Sequence, residues 1–139
     1  MVKLECKKVI AEDLRAELVF SNDPISFVGG VNIQTGDVSD YRHANYKQNI
    51  TGKVFAFPFG KGSSGAGLVL MEMLRIGTAP AAIINIRTDP VILTGPLVCH
   101  HFYDQTLSVI NLSEEDYAKL AEGKEIELFK DSDYLHVYK

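Results

Sequence analysis

Four glycines surround two adjacent serines in the run Gly60-Lys61-Gly62-Ser63-Ser64-Gly65-Ala66-Gly67, the stretch of this chain richest in potential chemistry. Glycine has no Cβ, so consecutive backbone N–H groups in such a run can converge on one point. Where a helix starts at that point, its free amides and positive dipole end make an anion site. Ser63 and Ser64 lie in that field. A serine hydroxyl is a poor base in water, but a cradle of N–H donors stabilises its alkoxide, so the same geometry serves to bind an anionic substrate or to activate a serine. The residues alone leave both open. They also permit a plain tight turn whose serines only cap the helix.

Gly60-x-Gly62-x-x-Gly65 matches the dinucleotide pattern G-x-G-x-x-G, and it falls between an expected strand and an expected helix. Against a dinucleotide, only one βαβ unit is clear, the β-rich first half leaves little room for a doubly wound sheet, and Arg87 stands where an acid would take the ribose. Arg87 would suit a 2′-phosphate, which keeps that reading as a rival. No string matches the phosphate loop G-x-x-x-x-G-K-[ST].

Arg42 and His43 follow Asp40 in a polar stretch without clean periodicity. A loop arginine suits bidentate recognition of a carboxylate or phosphate, with His43 nearby, and Lys61 beside the serines adds charge to the same anion site. Gly62 and Gly65 would contribute backbone amides. His100-His101 resembles a metal pair, but on an extended segment adjacent side chains point to opposite faces, so a structural role is expected. Cys6 and Cys99 have neither CxxC nor finger spacing and read as small core residues, so no zinc or iron–sulfur cluster is expected on this chain's own residues.

The elements that must position these residues follow from periodicity and turn chemistry. Strands are expected at residues 3–10, 16–20, 25–28 and 53–57, with turns at Asn22-Asp23-Pro24 and Thr35-Gly36-Asp37, and a loop at 41–49. Pro58 closes the fourth strand. Ala66, Val69, Leu70, Met73 and Leu74 form a helical stripe that Gly77 ends. Further strands are expected at 81–86, 91–94 and 107–110, then a helix capped by Ser113 and ending near Gly123, then a hairpin of 125–130 and 134–138. The expectation is a strand-rich α/β fold, one domain over residues 1–139, with a strand–Gly-rich turn–helix unit at its centre.

Composition supports this. With 139 residues, 46% hydrophobic, the chain can bury an ordinary core, and disorder, collagen and coiled coil are excluded. Fourteen basic residues against 18 acidic ones, with no basic cluster, argue against nucleic acid as a partner. No apolar run approaches the roughly 20 residues that span a bilayer, and the N-terminus lacks the apolar block of a signal peptide, so a cytoplasmic protein without membrane contact is expected.

Several motifs occur together in order: Pro24-Ile-Ser-Phe-Val-Gly-Gly30-Val, Thr35-Gly36, Ile50-Thr-Gly-Lys53-Val-Phe-Ala-Phe, Gly60-Lys-Gly-Ser-Ser64 and Gly77-Thr-Ala-Pro-Ala-Ala-Ile-Ile-Asn85. Together, over roughly residues 3 to 95, they resemble the small swivel subunit of the aconitase X family, and the similarity extends to the Asp-x-Arg-His pattern ending at Arg42 and His43. The resemblance implies a two-subunit dehydratase in which a large subunit carries an iron–sulfur cluster on its own cysteines and the swivel domain closes over a small anionic substrate. It implies phosphomevalonate as that substrate, as in archaeal members, dehydrated to anhydromevalonate phosphate for isoprenoid synthesis. By the same resemblance Ser63 is the base that removes the proton α to the carboxylate and Ser64 helps hold the substrate, although the two roles are exchangeable in a paired motif. A hydroxyproline dehydratase small subunit is the alternative within the family, and a stand-alone nucleotide- or anion-binding module the alternative outside it. The chain departs from the family in Gly65-Ala66-Gly67, where Thr-Gly-Ser often follows the serines, and in the run from Gly95 to Tyr103.

Overall fold

The computed structural model describes residues 1–61 and 65–139, and its strands join into one sheet. They are β1 (Val2–Glu5), β2 (Lys7–Ile10), β3 (Leu14–Phe20), β4 (Val54–Ala56), β5 (Ala82–Asn85), β6 (Ser108–Asn111), β7 (Glu125–Leu128) and β8 (Tyr134–Tyr138). Their spatial order is β1-β8-β7-β3-β4-β5-β6-β2, with β3, β4, β5 and β6 mutually parallel and the flanking pairs antiparallel. The two edge strands are separated in the chain by Cys6 alone, so the sheet nearly closes into a barrel.

Parallel neighbours need crossover connections, and here two are helices: α2 (Ala66–Ile76) between β4 and β5, and α3 (Pro90–Phe102) between β5 and β6. A short turn, α1 (Phe27–Gly30), whose central residues Val28 and Gly29 are not helical, lies in the long β3–β4 connection, and α4 (Glu114–Ala118) continues as a 3-10 turn to Glu122. The central strands are buried on both faces, and alternate residues serve different cores. Phe55, Ile83 and Val109 pack with Ile25, Phe27, Leu70, Met73 and Ile92 on the helix side. Val54, Ala56, Ala82, Ile84 and Ile110 meet Tyr117, Leu120, Ile126, Leu135 and Val137 on the other side. Among the described residues no helix is long and apolar enough to cross a membrane.

Helix α2 begins and ends where its stripe requires. Gly77 takes φ +88° and returns its N–H to the Met73 carbonyl at 2.9 Å. The residue at the N-cap position is Gly65, which has no side chain to cap with. Ser113 caps α4 by accepting from the Asp116 N–H at 3.2 Å, and the closing hairpin of β7 and β8 forms as expected.

Three expectations need correction. The strand at 3–10 is interrupted at Cys6, which lets its halves pair at opposite sheet edges. Residues 25–28 do not form a strand: Ile25 makes an isolated parallel bridge with Gly60, and the chain then turns tightly through Val28, at ψ 105°, and Gly29, at φ +84°. Residues 91–94 belong to helix α3, because Asp89 accepts from the Val91 N–H at 2.8 Å and Pro90 is preset for the first turn, which outweighs the β-branched run. Two βαβ crossovers therefore exist where the sequence showed one, and His100 and His101 sit in the last turn of a helix.

Helices α2 and α3 cross at Gly67 and Gly95, backbone against backbone. A Cβ on Gly67 would lie 2.8 Å from the Val91 carbonyl oxygen, and one on Gly95 would overlap the Gly67 carbonyl. Glycine at 67 therefore serves helix packing. Gly95→Ala should destabilise the chain by about 1–3 kcal/mol despite the roughly 1 kcal/mol of helix propensity alanine adds, because both contacting groups are backbone and cannot swing aside. Urea unfolding of wild type and variant checks this, and a more stable variant would contradict it.

Candidate functional site

The carboxyl ends of β4, β5 and β6 share one edge of the sheet, from which α2 and α3 start, the place where parallel α/β sheets form ligand crevices. Gly60 and Lys61 enter that edge and Gly65 opens α2. Gly62, Ser63 and Ser64 lie outside the described residues. What the structure describes is their frame. The Lys61 N–H donates to the Ile25 carbonyl at 3.0 Å beside the Ile25–Gly60 bridge, so the entry to the Gly-rich segment is fastened to the segment after Pro24.

Lys61, Arg42 and His43, far apart in sequence, line one open cleft of about 270 Å³ together with Asp23, Pro24 and Asp40. Arg42 projects into solvent with its side chain 75% exposed, and its Nε is 3.8 Å from Asp40 Oδ1. The Arg42 N–H donates to that carboxylate at 3.0 Å and holds the Asp40 carboxyl below the usual carboxylate range, with the charges of Arg42 and Lys61 acting in the same sense. Asp23 uses Oδ2 on the Ala44 N–H at 2.9 Å. Lys61 makes no ion pair among the described residues, so its ammonium and the exposed Arg42 guanidinium leave the cleft with positive charge to offer an anion.

His43 is buried and plays a different part from Arg42. The Asn45 N–H donates to Nδ1 at 3.0 Å, so that nitrogen carries a lone pair and Nε2 carries the proton, which it donates to the Asp23 carbonyl at 3.2 Å. Both ring nitrogens thus bind backbone and fix the loop that presents Arg42. Asp23 and Asp40 were not singled out from sequence. Asp23 read as a turn former and Asp40 only as a neighbour of Arg42, and no local pattern announces that residues 17 apart face one cleft.

Arg87 lies at the same sheet edge with its guanidinium 4.5 Å from the Phe59 ring centre. His100 and His101 are at the far end of α3 from Asp89, with ring centres 5.3 Å apart and His100 Nδ1 3.2 Å from the Thr106 hydroxyl. Among the described residues no group of three or more His, Cys, Asp or Glu is placed to hold a metal. Burial pushes the Cys6 and Cys99 thiols up, away from the thiolate that a metal needs, and the two line different clefts. The described residues do not fit an iron–sulfur cluster.

The family model of the aconitase X swivel domain matches residues 3–137. This chain belongs to the aconitase X swivel-domain family. The phosphomevalonate dehydratase small subunit of Methanosarcina acetivorans is 31% identical over 138 residues, which cover 99% of this chain and 92% of that protein. The protein of the same name from Methanopyrus kandleri is 35% identical over 131 residues, covering 90% of this chain and 96% of the relative. The crystal structure of Thermococcus kodakaraensis aconitase X in its holo-form superposes with a TM-score of 0.87 at 28% identity, over all of both chains. The solution structure of a UPF0107 protein shares the fold, with a TM-score of 0.84 at 24% identity over 99% of this chain and all of that one.

In this swivel domain His43 is expected to act as scaffold. His43→Phe leaves the Asn45 N–H and the Asp23 carbonyl without partners and should cost about 1–3 kcal/mol in the isolated chain, measured by urea unfolding. An unchanged midpoint would mean that the ring's two hydrogen bonds do not hold the loop.

Proposed function

We propose that this chain is the small subunit of a two-subunit dehydratase acting on 5-phosphomevalonate, with Ser63 as the proton-abstracting base. The observation that carries the reading is the convergence of Lys61 and Arg42 on one cleft at the edge where the Ser63–Ser64 segment joins the sheet. The names of the relatives support the reaction and the substrate. Phosphomevalonate carries a carboxylate and a phosphate, and a cleft that offers two cations, with the carboxylates of Asp23 and Asp40 engaged by backbone N–H groups, suits a ligand with two anionic groups.

In this reading Arg42 and Lys61 hold an anionic end of the substrate, the amides of Gly62 and Gly65 and the hydroxyl of Ser64 orient the carboxylate, and His43 keeps the Arg42 loop in place. Ser63 takes the proton α to the carboxylate. The C–H electron pair becomes the new C=C bond, the β C–O bond breaks with its pair on oxygen, and the departing hydroxide takes a proton from solvent to become water while Ser63 returns the abstracted proton to solvent. Removing so weak an acid requires a base shielded from water and surrounded by donors, which a Gly-rich segment leading into a helix N-terminus supplies. Cys6 and Cys99, apart in the fold, do not make a cluster's ligand set, and we assign the iron–sulfur cofactor and the departure of the hydroxyl to the large subunit. Exposed Leu68, Phe102 and Tyr103 along α2 and α3 support a partner that covers them.

Two predictions test this in the complex assembled with the large subunit. Ser63→Ala should lower kcat about 10²–10⁴-fold while assembly and thermal midpoint stay near wild type. An inactive Ser64→Ala beside an active Ser63→Ala would move the base to Ser64, and two active variants would reduce the segment to an anion cradle. Separately, Arg42→Gln should raise KM for phosphomevalonate about tenfold or more with a smaller change in kcat, since an interaction made equally in ground and transition states is lost. Steady-state kinetics with unchanged KM would remove Arg42 from the site.

A further inference from the structure

The parallel ladder between β4 and β5 slips by one residue at its carboxyl end. The Phe57 N–H donates to the Ile84 carbonyl at 3.1 Å, and the regular pattern would next bring the Ile86 N–H to the Phe57 carbonyl. That amide instead donates to the Pro58 carbonyl at 3.0 Å. The Phe57 carbonyl, in a fully buried residue, is left without its ladder donor, a costly loss unless something replaces it.

Asn85 replaces it. Its side chain is fully buried and Nδ2 donates to the Phe57 carbonyl at 2.7 Å. Asn85 Oδ1 accepts from the Thr88 hydroxyl at 3.2 Å, and that hydroxyl accepts from Asn111 Nδ2 at 2.7 Å. The chain of bonds ties the exits of β4, β5 and β6 together, one residue before the Asp89 cap of α3. Its first link lies three residues upstream of Gly60. An asparagine is the residue that can do this, because it offers a donor to one backbone group while its oxygen receives another partner.

We propose that Asn85, oriented by Thr88 and Asn111, is a positioning residue that sets the path of the chain from β4 into the segment carrying Ser63 and Ser64. The slip bends β4 out of the ladder at Pro58, and Asn85 makes that bend affordable by satisfying the carbonyl it exposes. The inference rests on the catalytic reading of that segment. A serine misplaced by an ångström loses much of its advantage in proton transfer, so loosening this network should reach turnover while substrate binding through Arg42 and Lys61 is preserved.

Thr88→Val in the assembled two-subunit enzyme removes the hydroxyl that orients Asn85 while keeping the side-chain shape. It should lower kcat about tenfold or more with KM within about twofold of wild type, and Thr88→Ser should restore turnover. Asn85→Asp, which cannot donate to the Phe57 carbonyl, should fall at least as far. Should that variant not fold, the Thr88 pair carries the test. In the isolated chain, amides of residues 59–67 should exchange with deuterium faster in Thr88→Val than in wild type or Thr88→Ser. Ser63→Ala and Ser64→Ala run alongside: if both turn over normally, the catalytic reading of the segment falls and this inference falls with it. If a serine variant is inactive while Thr88→Val keeps kcat and the exchange rates of wild type, the positioning role alone is overturned.

Discussion

The contact between the Gly67 and Gly95 backbones governs where everything at the candidate site can be. Two helices can start side by side from neighbouring parallel strands only if they pack, and here they approach until main chain touches main chain. That approach fixes the first turn of α2 against the middle of α3. The Gly-rich segment is therefore held at both ends, by the Ile25 bridge and the slipped β4 exit before it and by a locked helix after it. On the proposed reading, in which this loop presents a base to the substrate, such anchoring gives it precision.

Charge completes what the backbone arranges. The loop after Asp40 brings its arginine to the cleft from a part of the chain unrelated in sequence to Lys61, and the buried imidazole of His43 is what lets that loop keep its shape. The carboxylate of Asp40 restrains the arginine only at 3.8 Å, close enough to orient it and too far to neutralise it fully. On the proposed reading, binding and proton abstraction fall to two different segments of the chain.

Much of the fold was legible in the residues. The stripe of α2 and its Gly77 stop, the Ser113 cap and the closing hairpin all rest on local chemistry that the sequence states outright. Helix α3 was not legible, because Val91, Ile92 and Leu93 look like a buried strand, and the decisive cap and Pro90 occupy only two positions. The tight turn after Phe27 was missed because a glycine at positive φ redirects the chain only once Ile25 is anchored to Gly60, a contact 35 residues away. The pairing of Arg42 with Lys61 is visible from sequence only as two candidates, since their meeting depends on the β3–β4 connection folding back over the sheet. Asn85 read as the last residue of a strand motif, and its role appears only when the ladder is followed bond by bond.

The interruption at Cys6 has a consequence for how this chain comes to be folded. The first strand pairs with the last, Val2 opposite Val137, while the second closes the other side against β6, Lys7 opposite Asn111. The sheet's seam is therefore made by residues 2–10, and neither half of that seam has its neighbour until the chain as far as β6 and β8 has been synthesised. Pairings of such long sequence separation place the molecule among slowly folding topologies and leave the N-terminal strands waiting in the open. Lys3, Lys7 and Lys8 along that ribbon are charges suited to keeping it from pairing with another chain in the interval.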